Sequence, residues 1–159
     1  MQLLNEGSAA PFFEGVDQYG ATIRLSNFEG KKVALYFYPK DNTSGCTAEA
    51  CSLRDNYGAL QNAGYVIVGV SPDSVKSHKN FADKHALPFS IIADESKKIL
   101  TDYGVWGEKQ MYGRKYMGVF RTTFIIDENG IIEKIISKVD TSKHGKQILE
   151  INKYKTIVK

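Results

Sequence analysis

The sequence predicts an α/β fold of three layers, α/β/α, built on a mixed sheet, and three observations carry that expectation. Two apolar runs of strand length, Val33-Ala34-Leu35-Tyr36-Phe37-Tyr38 and Tyr65-Val66-Ile67-Val68-Gly69-Val70, enclose a segment of helical periodicity. Strands apolar on both faces are covered on both sides, and a strand–helix–strand unit makes its two strands parallel. Hairpin patterns lie near both ends of the chain and supply antiparallel edges.

Each element follows in order. Phe12 to Val16 and Thr22 to Leu25 flank a turn at Asp17-Gln18-Tyr19-Gly20 and read as an N-terminal hairpin. Pro39 ends the first buried strand. A helix is expected from about Ser44 to Ala63, because Cys46, Ala50, Leu53, Tyr57 and Leu60 recur at three- and four-residue spacing. Thr43 or Ser44 can cap it and Gly64 can end it. A helix at about Val75 to His85, a short strand at Phe89 to Ala93 and a short helix near Lys97 to Tyr103 come next. Residues 105–118, rich in Lys, Arg, Tyr and Met, read as a long loop, which in a compact domain is usually functional or mobile. Thr122 to Asp127 and Ile131 to Ile136 form a hairpin around Asn129-Gly130, a strong turn signal. A basic amphipathic helix from about Ser142 closes the chain. This order is thioredoxin-like, with residues around 88–118 as an insertion before the last hairpin, in one domain over 1–159.

The bulk numbers restrict function. A chain of 159 residues buries roughly two-thirds of its unfolded surface and needs no covalent staple, so its two cysteines are not a disulfide framework. Net charge is +3 with both signs interspersed, too weak a bias for nucleic acid. The start, Met1 to Ser8, lacks the basic and apolar regions of a secretory signal. No stretch approaches the ~18 apolar residues of a membrane span. A cytoplasmic location is expected, where a disulfide is transient rather than structural.

The two cysteines, Cys46 and Cys51, stand five residues apart where a buried strand runs into a helix. Backbone N–H groups and the helix dipole at such a junction favour a thiolate. A second thiol nearby gives a first oxidation product somewhere to go. The segment Tyr36-Phe37-Tyr38-Pro39-Lys40-Asp41, Thr43, Gly45-Cys46-Thr47, Glu49, Cys51 and Leu53-Arg54-Asp55 resembles the peroxiredoxin active-site motif in its peroxiredoxin Q form, also called bacterioferritin comigratory protein. Tyr112 to Asp127 resembles the same subfamily, so the likeness extends over nearly the whole chain.

The resemblance implies a thiol peroxidase that reduces hydrogen peroxide and organic hydroperoxides. Cys46 would be the peroxidatic nucleophile, and thiolate rather than thiol is the reactive form, so its pKa must lie below ~8.5. A helix N-terminus contributes ~0.3–1 kcal/mol toward that, less than one pKa unit at ~1.36 kcal/mol each, so a cation is needed as well. By resemblance Arg121 supplies it, donating to the sulfur and to peroxide oxygens. Thr43 would bond a peroxide oxygen, Pro39 would shield the thiolate, and Glu49, one turn beyond Cys46, would orient Arg121. Each also has an ordinary reading: Cys46 as a core residue, Thr43 as a cap, Arg121 as a solvated strand end, Glu49 as a first-turn acid and Pro39 as a strand terminator.

Resemblance further makes Cys51 the resolving cysteine, forming a disulfide with Cys46 that thioredoxin or a similar dithiol protein reduces. In an intact helix, residues five apart differ by ~140° in direction and their Cα atoms lie ~8.6 Å apart. Bridging stops at ~7 Å. The helix must therefore unwind over about residues 43–55 for the bond to form. An internal resolving cysteine needs no second subunit, so a monomer is expected, a weak dimer being the other state.

The three histidines, His78, His85 and His144, lie in separate segments and neither cysteine has a Cys-x-x-Cys partner, so no metal is expected. No phosphate-binding glycine loop occurs, and no cofactor is expected. Two other readings share the reactive thiol. A thioredoxin-like dithiol–disulfide oxidoreductase requires Cys-x-x-Cys and a proline before the late strand, where Val119-Phe120-Arg121-Thr122 has none. A peroxide sensor or redox-regulated binding protein requires a partner surface that the sequence does not display.

Overall fold

Nine strands and five α-helices form within residues 4–158, the part of the chain that this computed structural model describes, with side chains described as far as residue 151. In chain order they are β1 (Glu14–Val16), β2 (Thr22–Arg24), β3 (Lys32–Phe37), α1 (Ser44–Asp55), α2 (Tyr57–Asn62), β4 (Tyr65–Ser71), α3 (Val75–His85), β5 (Ser90–Ala93), α4 (Lys98–Asp102), β6 (Trp106–Met111), β7 (Arg114–Val119), β8 (Thr122–Ile126), β9 (Ile132–Ile136) and α5 (His144–Val158). The start of the segment weighed as a signal peptide, Met1 to Leu3, lies outside the described residues.

Seven strands make one sheet in the order β2-β1-β5-β4-β3-β8-β9. β4 runs parallel to β3 and to β5, and the remaining pairs are antiparallel. The fold is the mixed-sheet, thioredoxin-like α/β arrangement that the element order predicts. β3 and β4 are buried along nearly their whole length because the alternation of side chains sends each strand into two cores. On one face Ala34, Tyr36 and Tyr38 pack with Cys46, Ala50 and Leu53 of α1, Leu60 of α2, Phe81 of α3 and Ile148 of α5. On the other, Val33, Leu35 and Phe37 pack with Ile99, Leu100 and Tyr103 from α4 and its end, and with Phe13 and Phe124.

Two expectations require correction. The single helix over 44–63 is broken at Asn56, whose φ of −105° and ψ of 11° separate α1 from α2. The start of α5 presses on this point. A Cβ on Gly145 would stand 2.7 Å from Asn56 and 2.8 Å from the Ser52 carbonyl, and Gly145 N donates to Ser52 Oγ at 3.0 Å. A tertiary contact of this kind leaves no trace in helical periodicity. Residues 105–118 are not a loop: β6 and β7 pair antiparallel as a separate two-stranded ribbon. Its turn uses Tyr112 and Gly113, both at positive φ (52° and 78°), as a tight hairpin requires. Most of the ribbon is exposed or half-buried, so the apolar alternation by which strands are recognised is absent.

One close approach fixes the register of the central pair. Tyr36 of β3 lies opposite Gly69 of β4, and a Cβ there would meet the Tyr36 ring at 2.9 Å. The ring cannot retreat, being stacked on Tyr38 at 5.4 Å between centroids and edge-on to Phe89 at 6.0 Å. Gly69→Ala is expected to cost about 1–3 kcal/mol by overpacking, read as a lower urea midpoint at unchanged m-value.

Candidate active site

The loop leaving β3 delivers Cys46 to its position. Pro39 and Lys40 follow the strand, and Asp41 is buried on the α3 side of the loop. Its carboxylate accepts hydrogen bonds from Tyr38 Oη at 2.6 Å and Ser77 Oγ at 2.8 Å, and pairs with His78 Nδ1 at 2.7 Å. Burial pushes the Asp41 pKa up, but the bonds from His78, Tyr38 and Ser77 outweigh it and hold the carboxyl below its ordinary value. The loop is thereby fixed to α3 just before the helix bearing Cys46. Thr43 occupies the N-cap position of α1 in extended conformation, but its hydroxyl makes no cap bond. It donates instead to the Lys40 carbonyl at 2.9 Å, which leaves its lone pairs free to accept.

Cys46, in the first turn of α1, is almost fully buried. The cation reaches it from β8. Phe37 of β3 pairs with Thr122, so Arg121 stands across from the end of β3, beside the start of α1. Its guanidinium forks: Nη1 donates to Glu49 Oε1 at 2.5 Å and Nη2 donates to Cys46 Sγ at 3.2 Å. A planar group holding a carboxylate with one nitrogen keeps the other aimed at the sulfur. Burial works against the charge of Arg121, yet Glu49 and the Cys46 sulfur more than compensate and keep it protonated.

Cys51 lies elsewhere. Both thiols are free and α1 is continuous across them. Cys51 is half-buried, with Sγ 3.9 Å from His85 Nδ1 of α3. Of the residues singled out in the sequence, Cys46, Glu49 and Arg121 meet directly, Thr43 and Pro39 belong to the adjoining loop, and Cys51 stands apart. Among the described residues, no group of three or more His, Cys, Asp or Glu is placed to hold a metal ion.

Sequence reading missed His144, Thr123 and the Asp41–His78 pair, because each acts through a contact between distant segments. His144, at the start of α5, is fully buried with Nε2 3.7 Å from Glu49 Oε2. Among the described residues that oxygen has no hydrogen-bond partner. Gln147 donates its amide nitrogen to the Lys138 carbonyl at 2.9 Å, which turns its Oε1 toward His144 Nδ1 at 2.8 Å. His144 Nδ1 therefore carries the proton, and Nε2 accepts from Thr123 Oγ1 at 2.7 Å. Burial drives the His144 pKa down to about 4, so the ring is neutral beside the carboxyl.

Burial raises Glu49 from 4.5 to about 7, against the pull of Arg121. A carboxyl with a raised folded-state pKa contributes stability that is complete below its ordinary value and is lost as pH rises through the higher one. For Glu49 that window runs from 4.5 to about 7, and the shift corresponds to about 3 kcal/mol. His144 has the opposite slope, being stabilising above 6.5 and losing that contribution as pH falls toward about 4. Glu49→Gln removes only the first slope. Urea titrations across this pH range are expected to show the parent protein losing about 3 kcal/mol relative to Glu49→Gln as pH rises; parallel curves would sink the assignment.

The known proteins that this chain resembles are peroxiredoxins. The AhpC/TSA family model matches residues 7–135. Peroxiredoxin Bcp of Bacillus subtilis is 42% identical over 144 residues, covering 91% of this chain and 92% of the relative. Peroxiredoxin Bcp of Escherichia coli is 41% identical over 149 residues, covering 94% and 96%. Among solved structures, bacterioferritin comigratory protein of Xanthomonas campestris, described for its alkyl peroxide reduction activity, superposes with a TM-score of 0.87 at 31% identity, covering 94% of this chain and 98% of that one. No helix among the described residues is long and apolar enough to cross a membrane. With a family model spanning most of its length and relatives alike from end to end, the chain belongs to the AhpC/TSA family, in its Bcp and peroxiredoxin Q branch, and is a thiol-dependent peroxidase.

Proposed function

We propose that Cys46 is the peroxidatic residue and that Cys51 resolves its oxidised form within the same chain. The observation that carries the first assignment is the Arg121 fork, which holds one N–H on Glu49 and another on Cys46 Sγ. A guanidinium at the sulfur stabilises negative charge there and lies where an attacked oxygen must develop charge. The thiolate attacks one peroxide oxygen, the O–O bond breaks, and the second oxygen leaves as hydroxide or alkoxide and takes a proton. Thr43, whose hydroxyl already donates to Lys40, accepts a hydrogen bond from the peroxide, and Pro39 screens the sulfur from water. Hydrogen peroxide and organic hydroperoxides are the substrate class, a reading supported by the alkyl peroxide activity described for the Xanthomonas relative.

The product, a sulfenic acid at Cys46, condenses with Cys51 to release water. Thioredoxin or a similar dithiol protein then reduces the disulfide. This proposal includes a single-domain protein working as a monomer in the cytoplasm. Oxidation also loosens the helix. The first turn of α1 has no side-chain cap and no acidic residue, which forgoes about 1 kcal/mol of the usual end stabilisation. In the reacting form its anionic element is the Cys46 thiolate, beside the Arg121 guanidinium. A sulfenic acid carries no such charge, so that contact weakens when the first turn has to open.

Two outcomes are expected. Cys46→Ser abolishes peroxide reduction, whereas Cys51→Ser consumes one equivalent of peroxide and then accumulates sulfenic acid; normal cycling of Cys51→Ser with thioredoxin would overturn the resolving assignment. In hydrogen exchange, the oxidised protein loses amide protection over residues 44–49 more than over 52–55, where Leu53 is fully buried and Arg54 bonds α3. Equal protection of these amides in both redox states would rule out local unwinding.

A further inference from the structure

The resolving step, as proposed above, requires Cys51 to act as a nucleophile, and the fork at Cys46 does nothing for it. We propose that His85 is the general base of that second step, taking the Cys51 proton onto Nδ1; this rests on the reading of Cys51 as the resolving cysteine.

The geometry gives His85 direct access. Its Nδ1 lies 3.9 Å from Cys51 Sγ, hydrogen-bond range for a sulfur donor. The Phe81 ring, edge-on at 5.1 Å between centroids, supports the imidazole from its own helix. A second bond ties the two helices at the same place: Arg54 Nη1 donates to the His85 backbone carbonyl at 2.7 Å. Cys51 and its base therefore stay registered while the first turn of α1 opens and Cys46 travels toward them.

The charges around His85 suit a base. Desolvation lowers its pKa, with Lys84 on its own helix and Arg54 across from it adding to the effect, so the ring is neutral and ready to accept. Asp55, the carboxylate in this group, is engaged by Arg54 Nε at 3.0 Å. Arg54 faces Cys51 as a cation and favours the thiolate once it forms. His85 is also the last residue of α3, which ends at Ala86 with φ of 52°. The negative end of the helix dipole there accommodates the imidazolium. With the ring proton on Nε2, the Nδ1 lone pair points at the thiol.

The step balances. The Cys51 S–H bond breaks, its proton moves to His85 Nδ1 and its electron pair stays on sulfur. That thiolate attacks the Cys46 sulfenic sulfur; the S–S bond forms, the S–O bond breaks, and the leaving hydroxide takes the proton from His85 as water. The Cys51 sulfur is oxidised and the Cys46 sulfur reduced.

An ordinary thiol is only roughly 3% ionised at neutral pH, so a base can accelerate this step by up to about 30-fold. The test is a rapid-quench single turnover of the full chain with hydrogen peroxide, followed by intact mass. The gain of one oxygen marks sulfenic acid, and the loss of two hydrogens marks disulfide. In His85→Phe, disulfide formation is expected to slow roughly 10- to 30-fold relative to sulfenic acid formation in the same samples near neutral pH. The deficit should close as pH rises, where the thiol ionises without a base. Added imidazole should restore the rate in His85→Ala, a second variant that leaves space for it. Resolution at the parent rate in His85→Phe, or a slowdown persisting unchanged at high pH, overturns the base role. Cys51→Ser separates the two readings. If it stops at sulfenic acid while His85→Phe resolves normally, only the base role falls; if it cycles with thioredoxin at the parent rate, the resolving reading falls and takes the base role with it.

Discussion

The site depends on one guanidinium held between a buried carboxyl and a sulfur. Arg121 arrives at that place because β8 pairs with β3 in a register that sets Thr122 opposite Phe37. A slip by one residue would reverse every side chain of β8 between the two cores and carry Arg121 away from Cys46. The sheet register and the chemistry are therefore specified by the same contacts. Phe124 fills one core and Ile125 the other, so the hydrophobic packing that stabilises the fold also positions the cation.

Behind the guanidinium lies a second buried layer. Glu49 gives one oxygen to Arg121, while the other faces a neutral His144 without a hydrogen bond among the described residues. Full burial of both residues is costly; what it provides is a carboxyl that changes protonation state near neutrality rather than a fixed counter-ion. His144 is held by Thr123 and Gln147, so the last helix contributes to the site without touching the sulfur. The loop in front is secured separately, through Asp41 and His78. Cys46 thus sits between two independently anchored elements.

Much of this was legible in the sequence, and the limits have physical causes. The buried strands announced themselves by continuous apolar runs, and Asn129-Gly130 by its turn chemistry. Cys46, Glu49, Thr43 and Arg121 were recoverable because they occupy recognisable local motifs. The break at Asn56 was not, since it arises where Gly145 meets Ser52 and Asn56 from far along the chain. The β6–β7 ribbon escaped because an exposed hairpin has no core to impose alternation, and its Tyr112-Gly113 turn lacks the Asn-Gly signature. His85 and His144 lie in separate segments and were weighed only as metal ligands; folding alone sets one beside Cys51 and the other beside Glu49.

The distance along the chain between the sulfur and its cation carries a consequence for synthesis. Arg121 follows Cys46 by 75 positions, so a ribosome adding roughly 5–20 residues per second completes one some 4–15 s before the other. During that interval the cysteine exists in a nascent polypeptide without the guanidinium that stands at its sulfur in the folded chain. The contact between Nη2 and the sulfur forms only when β8 inserts beside β3. On the role proposed for Cys46, peroxide encountered during translation meets a thiol without its cation, and the hazard of premature oxidation is deferred until the finished sheet can make use of it.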